Sequence, residues 1–99
     1  MATRSVEIGP AGIQTARNIE RLRLLRGLSQ RRLAERCTAL GRPLSNIALS
    51  RTERARRRCD VDDLVAIATA LGVSPIALLQ PLSPPVPAHV RPSSVRQEG

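Results

Sequence analysis

The chain has 99 residues and a net charge of +8, from 16 basic against 8 acidic side chains; every basic residue is Arg, and Phe, Tyr and Trp are absent. That length fits one small domain, and the missing aromatics exclude modules that stack single-stranded bases on rings. The most apolar run, residues 64–73, falls well short of the ~20 residues of a membrane span, and MATRSVEIGPAG offers no apolar secretion signal, so the chain is expected to be soluble and cytoplasmic, with no membrane partner.

The spacing predicts an all-α fold of five short helices with no strand. Residues 1–12 read as a flexible arm. The first helix is expected over residues 13–26, with Ala16, Ile19, Leu22 and Leu25 inward and Arg17, Arg21 and Arg23 outward. Gly27 ends it and Ser29 caps the second helix, whose apolar stripe is Leu33, Ala34, Cys37 and Leu40. Gly41 stops that helix and Arg42-Pro43 makes a turn. Ser45 caps the third helix, residues 46–54. Asp60 caps the fourth, with Asp62 and Asp63 placed in the first turn to complement the helix dipole. Its inner stripe is Val61, Leu64, Ala68 and Leu71, with Ile67 beside them, and Gly72 closes it. Ser74-Pro75 opens the fifth helix, where Ile76, Leu78 and Leu79 supply apolar contacts. Residues 81–99 carry five Pro and no periodic apolar face, which reads as a disordered tail. The folded domain is therefore expected over residues 13–80.

Charge is unevenly placed. Residues 13–58 hold 13 Arg against Glu20, Glu35 and Glu53, whereas residues 59–80 hold Asp60, Asp62 and Asp63 and no base. A basic half joined to a mildly acidic half suits a protein that turns one face to a polyanion. Catalytic chemistry finds no footing. The sequence has one His, His89, and two cysteines, Cys37 and Cys59, without a CxxC pair. Metal-ligand spacing, a Gly-rich phosphate loop and a nucleophile–base pair are all missing. No enzyme activity, metal or cofactor is expected; Cys37 reads as a buried thiol and Cys59 as a loop thiol.

The third helix carries the informative pattern. At about 100° per residue, Asn46, Ile47, Ser50, Arg51 and Arg54 fall within roughly 140°, opposite Ala48, Leu49 and Thr52. In a major groove, Arg51 can pair with guanine O6 and N7, and Asn46 with adenine N6 and N7. Ser50 can meet a base or a phosphate. Two readings of Ile47 stand: contact with a thymine methyl, or a first turn that tucks it inward. The RARRR run at residues 54–58 suits phosphate contact, because arginine keeps its charge and its fork matches phosphate oxygens.

Three segments together carry a family resemblance: GLSQRRLAER at 27–36, LSNIALSRTERARRR at 44–58 and DVDDLVAIATALGVSPIALL at 60–79. They resemble the phage-repressor (Cro/XRE-type) helix-turn-helix family, in a version common in actinobacteria. The resemblance implies a compact five-helix lambda-repressor-like domain that binds double-stranded DNA, with the second helix crossing the backbone and the third entering the major groove. It places Gln30 at the groove edge, and Asn46, Ile47 and Arg51 at base-reading positions beside Ser50. Arg54, Arg56 and Arg57 fall at phosphate-contacting positions, while Glu53 matches a structural glutamate. Three departures stand out: a longer segment between Cys37 and Ser45, Ala55 where the family has Gly, and Thr52 where it has Ile or Leu. They put in question the angle between the second and third helices, the path leaving the third and the thickness of the core beneath it. The expected function is a sequence-specific transcriptional regulator acting as a homodimer paired near the fifth helix. Alternatives are an antitoxin-type interaction module, with the Pro-rich tail engaging a protein partner, and RNA or ribosome association.

Overall fold

The computed structural model describes residues 7–81. The expected tail beyond Pro81, and residues 1–6 of the expected arm, lie outside the described residues. Among those described the chain is all-α: α1 (Pro10–Leu25), α2 (Gln30–Ala39), α3 (Asn46–Glu53), α4 (Val61–Leu71) and α5 (Pro75–Leu79). None of these helices is long and apolar enough to cross a membrane. The first helix begins earlier than expected because Pro10 occupies its first turn after an extended Gly9. Proline's fixed φ is already helical, and its missing N–H is not needed there.

The helix ends follow local chemistry. The side chains of Ser29, Ser45, Asp60 and Ser74 accept hydrogen bonds from the backbone N–H of Arg32, Ala48, Asp63 and Ile76. Each such cap contributes about 1 kcal/mol. Gly27, Gly41 and Gly72 take φ of 67°, 95° and 74° after α1, α2 and α4. The residue after each glycine then donates back into the helix, to the carbonyls of Arg23, Cys37 and Ala68. The end of α3 uses the same motif with Ala55, at φ 57°, and Arg56 N donates to Arg51 O at 2.8 Å. Ala55 therefore leaves α3 by the same turn as the glycine-ended helices and is strained in doing so, since a left-handed conformation crowds its Cβ.

α1 packs against α3, α4 and α5; α2 packs against α3 and α4; and α4 packs against α5. Their shared core holds Ile19, Leu33, Cys37, Leu49, Ile67, Ala68 and Leu78, all fully buried. Each large aliphatic side chain buried in this way stabilises the fold by about 1.5–3 kcal/mol. Several expected core positions lie outside it. Leu25, Val61 and Ile76 are 66%, 73% and 62% exposed, and Leu40 and Leu79 are also exposed. Arg23 and Asp63 are buried instead. Leu25 and Val61 each sit roughly 110° from the centre of their helix's buried face, at 100° per residue. Arg23 and Asp63 lie nearer that centre and are accommodated because each finds partners of opposite charge. In α5, a five-residue helix, one inward position suffices and Leu78 takes it.

Cys37 is a fully buried free thiol, and Cys59 is a half-buried free thiol packed against the same core. Burial pushes Cys37 from its ordinary 9.0 up to about 11. It pushes Cys59 up to about 12. The negative charge of Asp63 adds to both shifts.

Candidate nucleic-acid interface

α3 is short and two-sided. Leu49, Thr52 and Glu53 are buried beneath it, while Asn46, Ile47, Arg51 and Arg54 are exposed and Ser50 is half-exposed. Ile47 is 71% exposed, which decides against the inward tuck. Ser45 accepts from Ala48 N at 3.0 Å and holds the first turn wound. The helix stands as a ridge between two shallow clefts. Ile47, Arg51 and Arg56 line one with Arg57 and Arg58. Asn46 lines the other with Arg31 of α2.

The ridge is fixed from below by a buried ion pair. Glu53 accepts from Arg23 Nε at 2.7 Å and Nη2 at 3.0 Å. Arg23 was expected to face outward; it turns inward because this carboxylate and the Leu28 carbonyl, 2.8 Å from Nη1, satisfy its guanidinium. The hydrogen bond that Arg23 donates to Glu53 outweighs desolvation and holds Arg23 more firmly protonated than usual. Gln30 joins this group, donating from Nε2 to Glu53 Oε1 at 2.9 Å. It thus stands at the start of α2 with one side-chain N–H spent inside the protein.

Thr52 does more than thin the core. Its hydroxyl donates to Ala48 O at 2.8 Å and accepts from Arg57 Nη1 at 3.1 Å. Arg57 Nη1 also reaches Asp63 Oδ2 at 3.0 Å. Of the arginines after α3, Arg57 is therefore drawn back onto the protein, whereas Arg54, Arg56 and Arg58 are exposed. Arg42, in the loop before α3, reaches the same carboxylate: Nε donates to Asp63 Oδ1 at 2.9 Å, and Nη2 to Asp60 Oδ2 at 2.9 Å. Asp60 and Asp63 also form a reciprocal capping box. The Asp63 backbone N–H, with help from Arg42 and Arg57, holds the Asp60 carboxyl below its ordinary range.

The arginines thus divide by role. Arg23, Arg42 and Arg57 neutralise internal carboxylates. Arg26 Nε and Arg36 Nη1 donate to Leu71 O and Ala70 O at the carbonyl end of α4, where positive charge offsets the helix dipole. Arg17, Arg21, Arg32, Arg51, Arg54, Arg56 and Arg58 are exposed and make no ion pair with other described residues. Four of these seven, Arg51, Arg54, Arg56 and Arg58, lie on α3 or just beyond it. Arg58 lies outside the positions that the family resemblance marks, but the RARRR run signals it and it is exposed beside them. The pairing roles of Arg42 and Asp63 had no local signal.

Comparison with known proteins agrees with this architecture. Residues 15–82 match the family model described as a helix-turn-helix domain. The chain belongs to that family. Among solved structures it is similar to a hypothetical transcription factor, NHTF, from Neisseria, with TM-score 0.66 and 27% identity over 82% of this chain and 87% of that one. It is also similar to the restriction-modification controller protein C.AhdI from Aeromonas hydrophila, with TM-score 0.60 and 27% identity over 67% of this chain and 92% of that one. No curated protein matches the chain.

Proposed function

We propose that this chain is a DNA-binding transcriptional regulator that reads double-stranded DNA by placing α3 in the major groove. The observation that carries the reading is the outer face of α3. An exposed Ile47 stands there beside Asn46, Ser50 and Arg51, flanked by arginines that the protein does not neutralise. An aliphatic side chain 71% exposed on a cationic ridge matches a groove that displays both thymine methyls and hydrogen-bonding base edges. Arg51 reads guanine, Asn46 reads adenine, and Ser50 meets a base or phosphate between them. Arg54 and Arg56 clamp phosphates. Arg57 joins them with whatever part of its guanidinium Asp63 leaves available, and Gln30 reaches the groove edge with its amide oxygen and second N–H. The similarity to a protein described as a transcription factor and to a restriction-modification controller supports a regulatory role.

The active form in this reading is a cytoplasmic homodimer that binds an inverted repeat with half-sites about one helical turn (~10 bp) apart. The Pro-rich segment of residues 81–99 is where a protein partner would engage. Selection of preferred duplexes from a random pool, followed by anisotropy titration of variants, tests the division of labour. Arg51→Ala is expected to cost about 1–3 kcal/mol on the preferred duplex and to relax preference at one position. Arg56→Ala is expected to weaken all duplexes similarly and to reduce the salt slope by about 1. Identical behaviour of the two variants would contradict the assignment of readers and clamps.

A further inference from the structure

We propose that Asp63 and Arg42 are positioning residues for DNA reading: one buried carboxylate ties together the loop that leads into α3 and the turn that leaves it. This rests on the DNA-binding reading above. Asp63 is 1% exposed. Its Oδ1 accepts from Arg42 Nε at 2.9 Å. Its Oδ2 accepts from Arg57 Nη1 at 3.0 Å and from the Asp60 backbone N–H at 3.2 Å. Arg42 precedes α3 and Arg57 follows it, so both flanks of the helix close on one point at the start of α4.

The need for such a tie follows from the local structure. Three α3 residues are buried: Leu49, Thr52 and Glu53. Glu53 fixes the last turn to α1 through Arg23. The first turn carries Asn46 and Ile47, and ahead of it lies loop 40–45. A loop of that length gives α3 freedom to rotate about its Glu53 anchor. Leu44 and Leu49 are buried in the core and limit this freedom, and two polar contacts restrict it further. Thr38 Oγ1 clamps Leu44 through both its N–H and its carbonyl, at 3.2 and 3.4 Å. Arg42 spans from the loop to Asp63, with a second contact to Asp60. Bidentate base pairing tolerates little rotation, so loosening this tie removes sequence preference before it removes attraction to the backbone.

Arg42→Ala tests the proposal, because Arg42 lies in a loop outside the hydrophobic core. Two measurements are made on the full chain: amide hydrogen exchange of the protein alone, and anisotropy against the preferred and a random duplex across salt concentrations. Faster exchange is expected at Leu44 and Ala48, with Ile67 in the core unchanged. The ratio of preferred to random affinity is expected to fall ~10-fold, the discrimination carried by about one bidentate base contact, with the salt slope unchanged. Arg42→Lys, which keeps a cation within reach of Asp63, is expected to recover most of the ratio.

Three results would overturn the proposal. Looser flanks with an undiminished ratio would make the tie structural only. Equal weakening on every duplex, with a salt slope lower by about 1, would make Arg42 itself a phosphate contact. Unchanged exchange would remove the tether. Absence of a preferred duplex for the unaltered protein would instead overturn the DNA-reading premise, while the exchange arm, which needs no DNA, would still decide the tether.

Discussion

Ala55 holds φ at 57° where three other helix ends use glycine, and it sits between two exposed arginines at the exit of α3. A left-handed alanine is disfavoured relative to glycine, so Ala55→Gly is expected to stabilise the domain by about 1 kcal/mol. Thermal unfolding should then move up by about 4–8 °C, as is usual for a domain of this size. An unchanged or lowered midpoint would mean that glycine's greater freedom in the unfolded chain outweighs the relieved strain. Thr52 shows how one polar residue can replace an aliphatic one. Its hydroxyl is satisfied on both sides, by Ala48 O and Arg57, and a buried polar group costs little when its hydrogen bonds are made.

At the scale of the element, α3 owes its position to partners distant in sequence. Removing one member of a buried ion pair leaves the other charged, desolvated and unpaired. Glu53→Ala is therefore expected to destabilise the fold by about 3–5 kcal/mol, whereas an apolar replacement of both Arg23 and Glu53 should cost much less. A double-mutant cycle followed by urea denaturation separates the two cases. Additive losses would mean that the pair is not coupled. What could be read in advance follows the same line. The caps at Ser29, Ser45 and Asp60 and the turns at Gly27, Gly41 and Gly72 depend on neighbours within a few residues, so the sequence displays them. The outward placement of Asn46, Ser50, Arg51 and Arg54 on α3 follows from helical periodicity, whereas periodicity leaves two readings of Ile47 and its exposure decides between them. Arg23, Arg42, Arg57 and Asp63 look like solvated surface charge until the fold brings them together, and nothing local marks them as inward. Ile76 and Leu79 look like core because a five-residue helix is too short to show which side is buried.

At the scale of the whole molecule, charge and core are arranged separately. The core is aliphatic and includes two thiols held neutral by burial. Above their ordinary 9.0 the unfolded chain releases these protons while the fold retains them up to about 11 and about 12. The unfolded state then binds fewer protons than the native state, so stability falls as pH rises above 9. Denaturation midpoints measured from pH 8 to pH 10 should decline, and a flat profile would contradict the burial of these groups. At the acid end, Asp60 acts in the opposite direction. Its lowered carboxyl contributes stability above its ordinary 3.8 that is lost as pH falls through the folded value.

The surface, by contrast, carries Arg51, Arg54, Arg56 and Arg58 on and just beyond α3, all exposed. Anisotropy of labelled duplex DNA tests that arrangement most directly, comparing DNA from upstream of this protein's own gene with a scrambled duplex at several salt concentrations. A steep salt slope with a preference of ~10³-fold or more for the upstream DNA is the expected result for a regulator that reads its own promoter. A steep slope without that preference would place the operator elsewhere. No binding even at low salt would contradict the DNA-reading role of α3.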